Sequence, residues 1–187
     1  MYNNSVSGYI RQKLKGFNEE FVTCVINSFN FTVEQKVADG CLLNTAALFV
    51  CARECGYNPV ICYGLCTLEG VGFYHAWLEI QGIVIDVAIY GNINYSPLSV
   101  WGFKVDTPYI GSYDKTAITY GRFEFDEDWK RSPIAKVEGW LLDDYLDTLP
   151  MGMMWEYICR LLNKPVTVAL IQQLRRLIKG VRIERHN

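Results

Sequence analysis

Residues 41–54 read CLLNTAALFVCARE, a run that leaves the rest of the chain little freedom. Leu43, Ala46, Ala47, Val50, Cys51 and Glu54 follow the 3.6-residue period, while Leu42, Leu48, Phe49 and Cys55 fill the remaining faces. A helix apolar on nearly every side must lie in the middle of a domain, with other elements covering it all round. Gly56 ends it in a left-handed cap and Pro59 prevents its restart. The flanking segments supply the cover. Residues 5–15 read as a helix stopped by Gly16, and Asn18 caps a second helix running to Phe29, followed by a connector over 31–40 whose Asp39-Gly40 pair is a turn. Residues 59–67 read as a buried strand and 68–72 as a loop. Residues 73–80 and 83–89 form a hairpin joined by Gln81-Gly82.

From Tyr90 to Trp129 aromatic residues mix with Gly, Asn, Ser and Pro, which predicts irregular structure with short strands at 99–105 and 117–125. Helices follow over 136–149, 153–162 and 167–179, with breaks at Pro150-Met151-Gly152 and Asn163-Lys164-Pro165. At 187 residues, half of them apolar, the chain fits one domain over 1–130, with its core at 39–90, and a helical extension over 131–187 packed on it. The fold class is α+β: a central helix on an antiparallel sheet, with C-terminal helices. A net charge of −2 argues against nucleic acid as partner. No apolar run is long enough to span a membrane. The first residues lack the apolar core of a signal peptide, and seven cysteines make an odd count. A cytoplasmic location with free thiols is the expectation. Cys51, Cys55, Cys62 and Cys66 have spacings that zinc tolerates. No knuckle turn surrounds them, however, and the first two lie within the helix pattern, so they read as small buried hydrophobes and no metal or cofactor is expected.

Chemistry concentrates in three residues. Cys41 opens the apolar helix, where unpaired N–H groups favour a thiolate. His75 lies in the first hairpin strand and Asp86 in the second. With a two-residue turn, Ile80 faces Ile83, and counting back places Asp86 opposite Trp77, diagonally beside His75 on the same face. An imidazole can then activate the thiol while a carboxylate holds the ring, a nucleophile–base–orienter set.

The segments G-C-L-L-N-T-A-A-L-F-V, G-Y-N-P-V, H-A-W-L-E-I-Q-G and the closing I-D resemble the transglutaminase-like superfamily, a branch of the papain-like cysteine fold. The resemblance covers about residues 39–90. It implies Cys41 as nucleophile, His75 as general base and acid, and Asp86 as third member, in a peptidase or amidase working through a thioester on a peptide or protein substrate. The spacing is most similar to lasso-peptide leader peptidases, which cleave a leader from a precursor peptide. The long extension after Asp86 departs from them, as does the lack of a recognition domain read before Cys41. I-D-V-A-I-Y-G-N also looks like the Asp-containing strand of arylamine N-acetyltransferases, although Ala38-Asp39-Gly40-Cys41 replaces their R-G-G-x-C approach. Acyl transfer, of the crosslinking or acetylating kind, is therefore the alternative activity, and a non-catalytic binding module of the same fold is a third. Water is the expected acceptor, with the 90–129 stretch walling a groove for an extended peptide.

Other residues have both a functional and a structural reading. Gln35, six residues before Cys41, has the spacing of an oxyanion-stabilising glutamine in papain-like enzymes, or is a solvated connector residue. Asn44, one turn after Cys41, binds substrate or satisfies a buried backbone group. Trp77 walls the site or is core. The basic C-terminus, Arg175, Arg176, Lys179, Arg182 and Arg185, is a solvated helix face or a surface for a protein partner. The acidic cluster at 124–128 lacks the spacing of a calcium loop. His186, near the end, is expected to be disordered.

Overall fold

The computed structural model describes residues 2–148 and 152–185. Leu149, Pro150, Met151 and His186, on which a helix end, a chain break and an expectation of disorder fell, lie outside the described residues. Helix α1 spans Tyr2–Lys13 and α2 spans Glu19–Glu34. The Asn18 side chain accepts from the Phe21 N–H at the start of α2. α2 runs beyond the expected end at Phe29: Thr32 donates to the Ser28 carbonyl and Phe31 packs on Tyr157. The connector therefore shrinks to 35–40.

Helix α3 is Cys41–Glu54, and eleven of its residues are buried, as an all-round apolar helix requires. It packs on a five-stranded antiparallel sheet in the order β4-β3-β2-β1-β5, made of β1 Val60–Leu68, β2 Val71–Ile80, β3 Ile83–Asp86, β4 Tyr109–Gly111 and β5 Ile118–Arg122. The expected loop at 68–72 is a tight turn at Glu69-Gly70, with φ of 49° and 85°. At the next hairpin Gln81 and Gly82 have φ of 55° and 76°, as a two-residue turn between right-twisted strands demands. The register is Ile80 with Ile83, Glu79 with Val84, and Leu78 with Ile85.

Alternation along the strands divides the side chains between two cores. Ile61, Tyr63, Ala76, Leu78 and Ile85 join α2 and α3 in the main core. Cys62, Cys66, Trp77, Val84 and Tyr120 form the second, covered by Ile89 and Ile93. These last two belong to α4, Ala88–Asn94, which replaces the expected strand end at 87–89. Asp86 accounts for the difference: its Oδ1 accepts the Ile89 N–H at 3.0 Å and turns the chain into a helix. The strand expected at 99–105 is instead a 3₁₀ turn, Pro97–Trp101.

Downstream, α5 is Leu142–Asp147, shorter than expected, α6 is Met153–Leu161 and α7 is Val168–Leu177. Met154, Ile158, Cys159 and Leu161 lie in the main core with α2 and α3. The tail pairs by backbone with 139–142, through Gly139 N–H to Ile183 O at 2.7 Å and Leu142 N–H to Val181 O at 2.9 Å. Arg175 pairs with Asp147 and Arg185 with Glu138, so these C-terminal cations bind their own chain. No helix of the described residues is long and apolar enough to cross a membrane.

At Gly91, α4 crosses the connector with no room for a side chain. A Cβ there would stand 2.0 Å from the Val37 carbonyl oxygen. Gly91→Ala should therefore destabilise the protein by about 1–3 kcal/mol through overpacking. Urea denaturation checks this; an unchanged midpoint would show that the crossing gives way freely.

Candidate active site

Asp39 turns the chain into α3 with a φ of 54°, and Gly40 caps the helix without a side-chain hydrogen bond. The first-turn N–H groups are thus not taken up by an Asn, Ser or Asp cap, and they add their partial positive charge around the sulfur. Cys41 is 8% exposed and opens into a cavity of about 320 Å³. Leu42, Leu43, Tyr74, Asn92, Pro133, Ile134, Val137 and Tyr145 line it, with Asp39 also in the wall.

His75 is fully buried on β2, opposite Gly64 of β1, with the rings of Phe73 and Trp77 near its own. Its Nε2 lies 2.7 Å from Asp86 Oδ2. The same oxygen accepts the Tyr120 hydroxyl at 2.7 Å, while Oδ1 takes the Ile89 N–H, so both oxygens of a buried carboxylate are satisfied. Burial alone would lower the affinity of His75 for its proton. The charge and hydrogen bond of Asp86 outweigh it, with Cys41 adding to both, and the imidazole is pushed up to about 10. Burial and the Asp86 charge together raise Tyr120 well above its ordinary value, keeping it a neutral donor.

With Nε2 committed to Asp86, Nδ1 is the nitrogen left for Cys41. Asn92 of α4 also reaches it, Nδ2 standing 3.0 Å from Nδ1. Tyr145, on the cavity wall, is raised to about 12 by burial and by the charge of Cys41.

The three sequence-chosen residues therefore come together. Cys41 adds to the raised proton affinity of His75, and His75 and Asp86 share a short buried hydrogen bond. The other candidates lie elsewhere. Gln35 is exposed as the C-terminal cap of α2 and is not among the cavity's lining residues. Asn44 is buried and its Oδ1 accepts from Ser28 Oγ at 3.1 Å and Tyr157 Oη at 2.9 Å, a network that ties α2, α3 and α6. Trp77 is core and donates Nε1–H to Tyr113 Oη at 3.0 Å. The 90–129 stretch does not wall a groove at Cys41. Of its residues only Asn92 lines that cavity, and 101–109 line a different one of about 570 Å³. Residues 133–145 take the wall instead.

Sequence reasoning missed Tyr120, Asn92 and the wall from 133–145. No spacing marked Asn92, because the apolar run 87–89 suits strand and helix equally and only a helix start at Asp86 places Asn92 one turn beyond Ile89. Among the described residues no group of His, Cys, Asp and Glu has the geometry to hold a metal ion.

Two measurements follow from this geometry. His75 has a raised proton affinity in the fold, so its ion pair stabilises fully below the unfolded value near 6.5 and fades as pH climbs through about 10. The stability advantage of the wild type over His75→Gln should shrink between those limits, read by urea denaturation at each pH. A constant advantage would mean that His75 is buried neutral. Limited iodoacetamide labelling with peptide mapping should modify Cys41 first. Burial raises Cys62, to about 11, and also Cys66 and Cys159, while thiol–thiol hydrogen bonding leads the rise at Cys24 and Cys55. Earlier modification of Cys24 or Cys159 would contradict the assignment.

No curated protein and no solved structure matches the chain. A family model does: residues 22–100, which carry Cys41, His75, Asp86 and Asn92, match that of the transglutaminase-like superfamily, with whose fold the α+β architecture is compatible.

Proposed function

We propose that the protein is a cysteine-dependent hydrolase that cleaves an amide bond through a thioester, with Cys41 as nucleophile, His75 as general base and acid, and Asp86 as the group that orients the ring. The observation that carries this reading is the 2.7 Å bond between His75 Nε2 and Asp86 Oδ2, which leaves Nδ1 free of the carboxylate and available to the thiol. The family match adds weight to cysteine chemistry of this kind.

The steps follow from the atoms in place. The Cys41 proton rests on His75 Nδ1, leaving a thiolate, and Asp86 holds the imidazolium. The thiolate attacks the carbonyl carbon of the substrate. The developing oxyanion lies where the first-turn N–H groups of α3 can meet it. Nδ1–H then protonates the departing amine, the C–N bond breaks and a thioester remains. Neutral Nδ1 next takes a proton from water. Hydroxide attacks the thioester carbon and the carboxylic acid leaves as Cys41 recovers its proton.

The cavity bears on the substrate. At about 320 Å³, with Leu42, Leu43, Pro133, Ile134 and Val137 in its wall, it suits one side chain or a compact acyl group rather than an extended strand. Transfer to an amine shares every step up to the thioester and is the second reading; the same family match favours it equally.

The test incubates wild type and Cys41→Ala with a peptide library, and with acyl donors plus labelled amines, and reads products by mass spectrometry. Shortened peptides or free acids from the wild type alone are the expected result. Cys41→Ala should lose about a thousandfold or more in rate, as should His75→Ala. Amine-tagged products without cleavage would move the assignment to acyl transfer. Identical products from wild type and Cys41→Ala would remove the thioester altogether.

A further inference from the structure

Asn92 contacts the one ring nitrogen through which the proposed chemistry must pass. It is 6% exposed, lines the cavity with Cys41, and its Nδ2 stands 3.0 Å from His75 Nδ1. Its Oδ1 is buried and has no hydrogen-bond partner among the described residues. An orphaned amide oxygen in the interior is costly, and one beside a titrating ring calls for an account.

The two ends of the amide suit the two protonation states of the imidazole. A neutral Nδ1 carries a lone pair and takes Nδ2–H as donor. A protonated Nδ1–H needs an acceptor instead, and a half-turn about the Cβ–Cγ bond of Asn92 brings the unpartnered Oδ1 to it. We propose that Asn92 is a positioning residue for His75: its amide turns over as Nδ1 gains and loses its proton, holding the ring in register with Cys41 in both states. This rests on the cysteine reading above only for its use in turnover. The coupling between Asn92 and His75 stands without it.

Other groups around the ring do not duplicate the role. Asp86 of β3 is committed to Nε2, and Tyr120 of β5 to that same carboxylate. Cys66 of β1 faces Asp86 and Cys41, and burial keeps its thiol neutral. Cys41 of α3 reaches the ring as Asn92 does, but it leaves to form the thioester. During the lifetime of the acyl-enzyme, Asn92 is then the protein partner left to Nδ1. A turning amide would keep the ring aimed at the incoming water.

Nitrogen-15 NMR of the imidazole tests the proposal without any substrate, since the sequence has only two histidines, His75 and His186. Asn92→Leu keeps the size but removes the acceptor for Nδ1–H, so the midpoint of His75 should fall by about one pH unit. Asn92→Asp supplies a permanent acceptor and a negative charge, so the midpoint should rise and Cys41 alkylation at pH 7 should slow at least tenfold. Opposite shifts are the signature. A packing role would move both variants the same way or neither, and either of those results overturns the proposal. Should a variant fail to fold, the wild type answers alone: the Asn92 side-chain NH₂ resonances should move with the His75 titration, and invariance across it counts against a turning amide. Coupled titration with an inert Cys41 would support Asn92 as positioning residue while sinking the hydrolase reading.

Discussion

A charged pair with no access to water sets the terms for the rest of this molecule. His75 and Asp86 are 0% and 1% exposed, and removing such ions from water costs several kcal/mol each unless every polar atom finds a partner. The fold supplies the partners from four elements. Strand β2 brings the ring, β3 the carboxylate, α4 the Ile89 N–H and β5 the Tyr120 hydroxyl. Each contact also fixes an element boundary. β3 ends at Asp86, whose Oδ1 accepts the Ile89 N–H in the first turn of α4, and β5 must pair with β1 for Tyr120 to reach Oδ2. Against a well-packed apolar pair of the same volume the charged pair offers little net stability, although losing either partner alone is costly. It specifies which register and which helix start are permitted, since any other arrangement would strand a buried charge.

The second constraint is the apolar helix α3, which needs cover on all sides and obtains it from opposite ends of the chain. Strands β1 to β3 take one side, and α2 and α6 take others through Val25, Phe29, Ile158 and Cys159. The Ser28–Asn44–Tyr157 network locks these three helices at a single depth, because each hydroxyl is directed at one amide oxygen. Tyr74 reaches Asp126, Tyr63 donates to Glu138 and Arg185 lies over Phe125, so the segment after β5 is held across the mouth of the helix start. The cavity at Cys41 is a product of that closure.

What could be read from the sequence was whatever depended on local order. The span of α3 was legible because its apolar period ends at a glycine, and the hairpin register because a two-residue turn leaves one pairing. Hence His75 and Asp86 could be brought together from counting alone, while Cys41 joined them through its place at the helix start and the family resemblance. The run I-D-V-A-I could not be resolved, since a short apolar stretch suits strand and helix equally and the Asp86 carboxylate decided it. That misreading concealed Asn92. Tyr120 and the wall at 133–145 were out of reach for another reason: they meet the site only through tertiary packing, with no spacing to mark them. Gln35 illustrates the converse, a sound spacing from Cys41 that α2 overrides by continuing to Glu34 and leaving the side chain in solvent.

The division of the chain has a chemical consequence. The family match ends at residue 100, within the 3₁₀ turn after α4, and so includes Cys41, the His75 ring and its carboxylate. Pro133, Ile134, Val137 and Tyr145 lie beyond it, yet they close the space in which an acyl group would rest on Cys41. Apolar walls lower the local dielectric, which strengthens the attraction between thiolate and imidazolium and slows the entry of water. Both effects act on the step at which hydrolysis and transfer diverge, because a thioester kept from water survives long enough to meet another acceptor. Residues 22–100 can thus set the proposed cysteine chemistry while 133–145 set what the thioester is given to, and a change in those walls should alter the acceptor before it alters the formation of the acyl-enzyme.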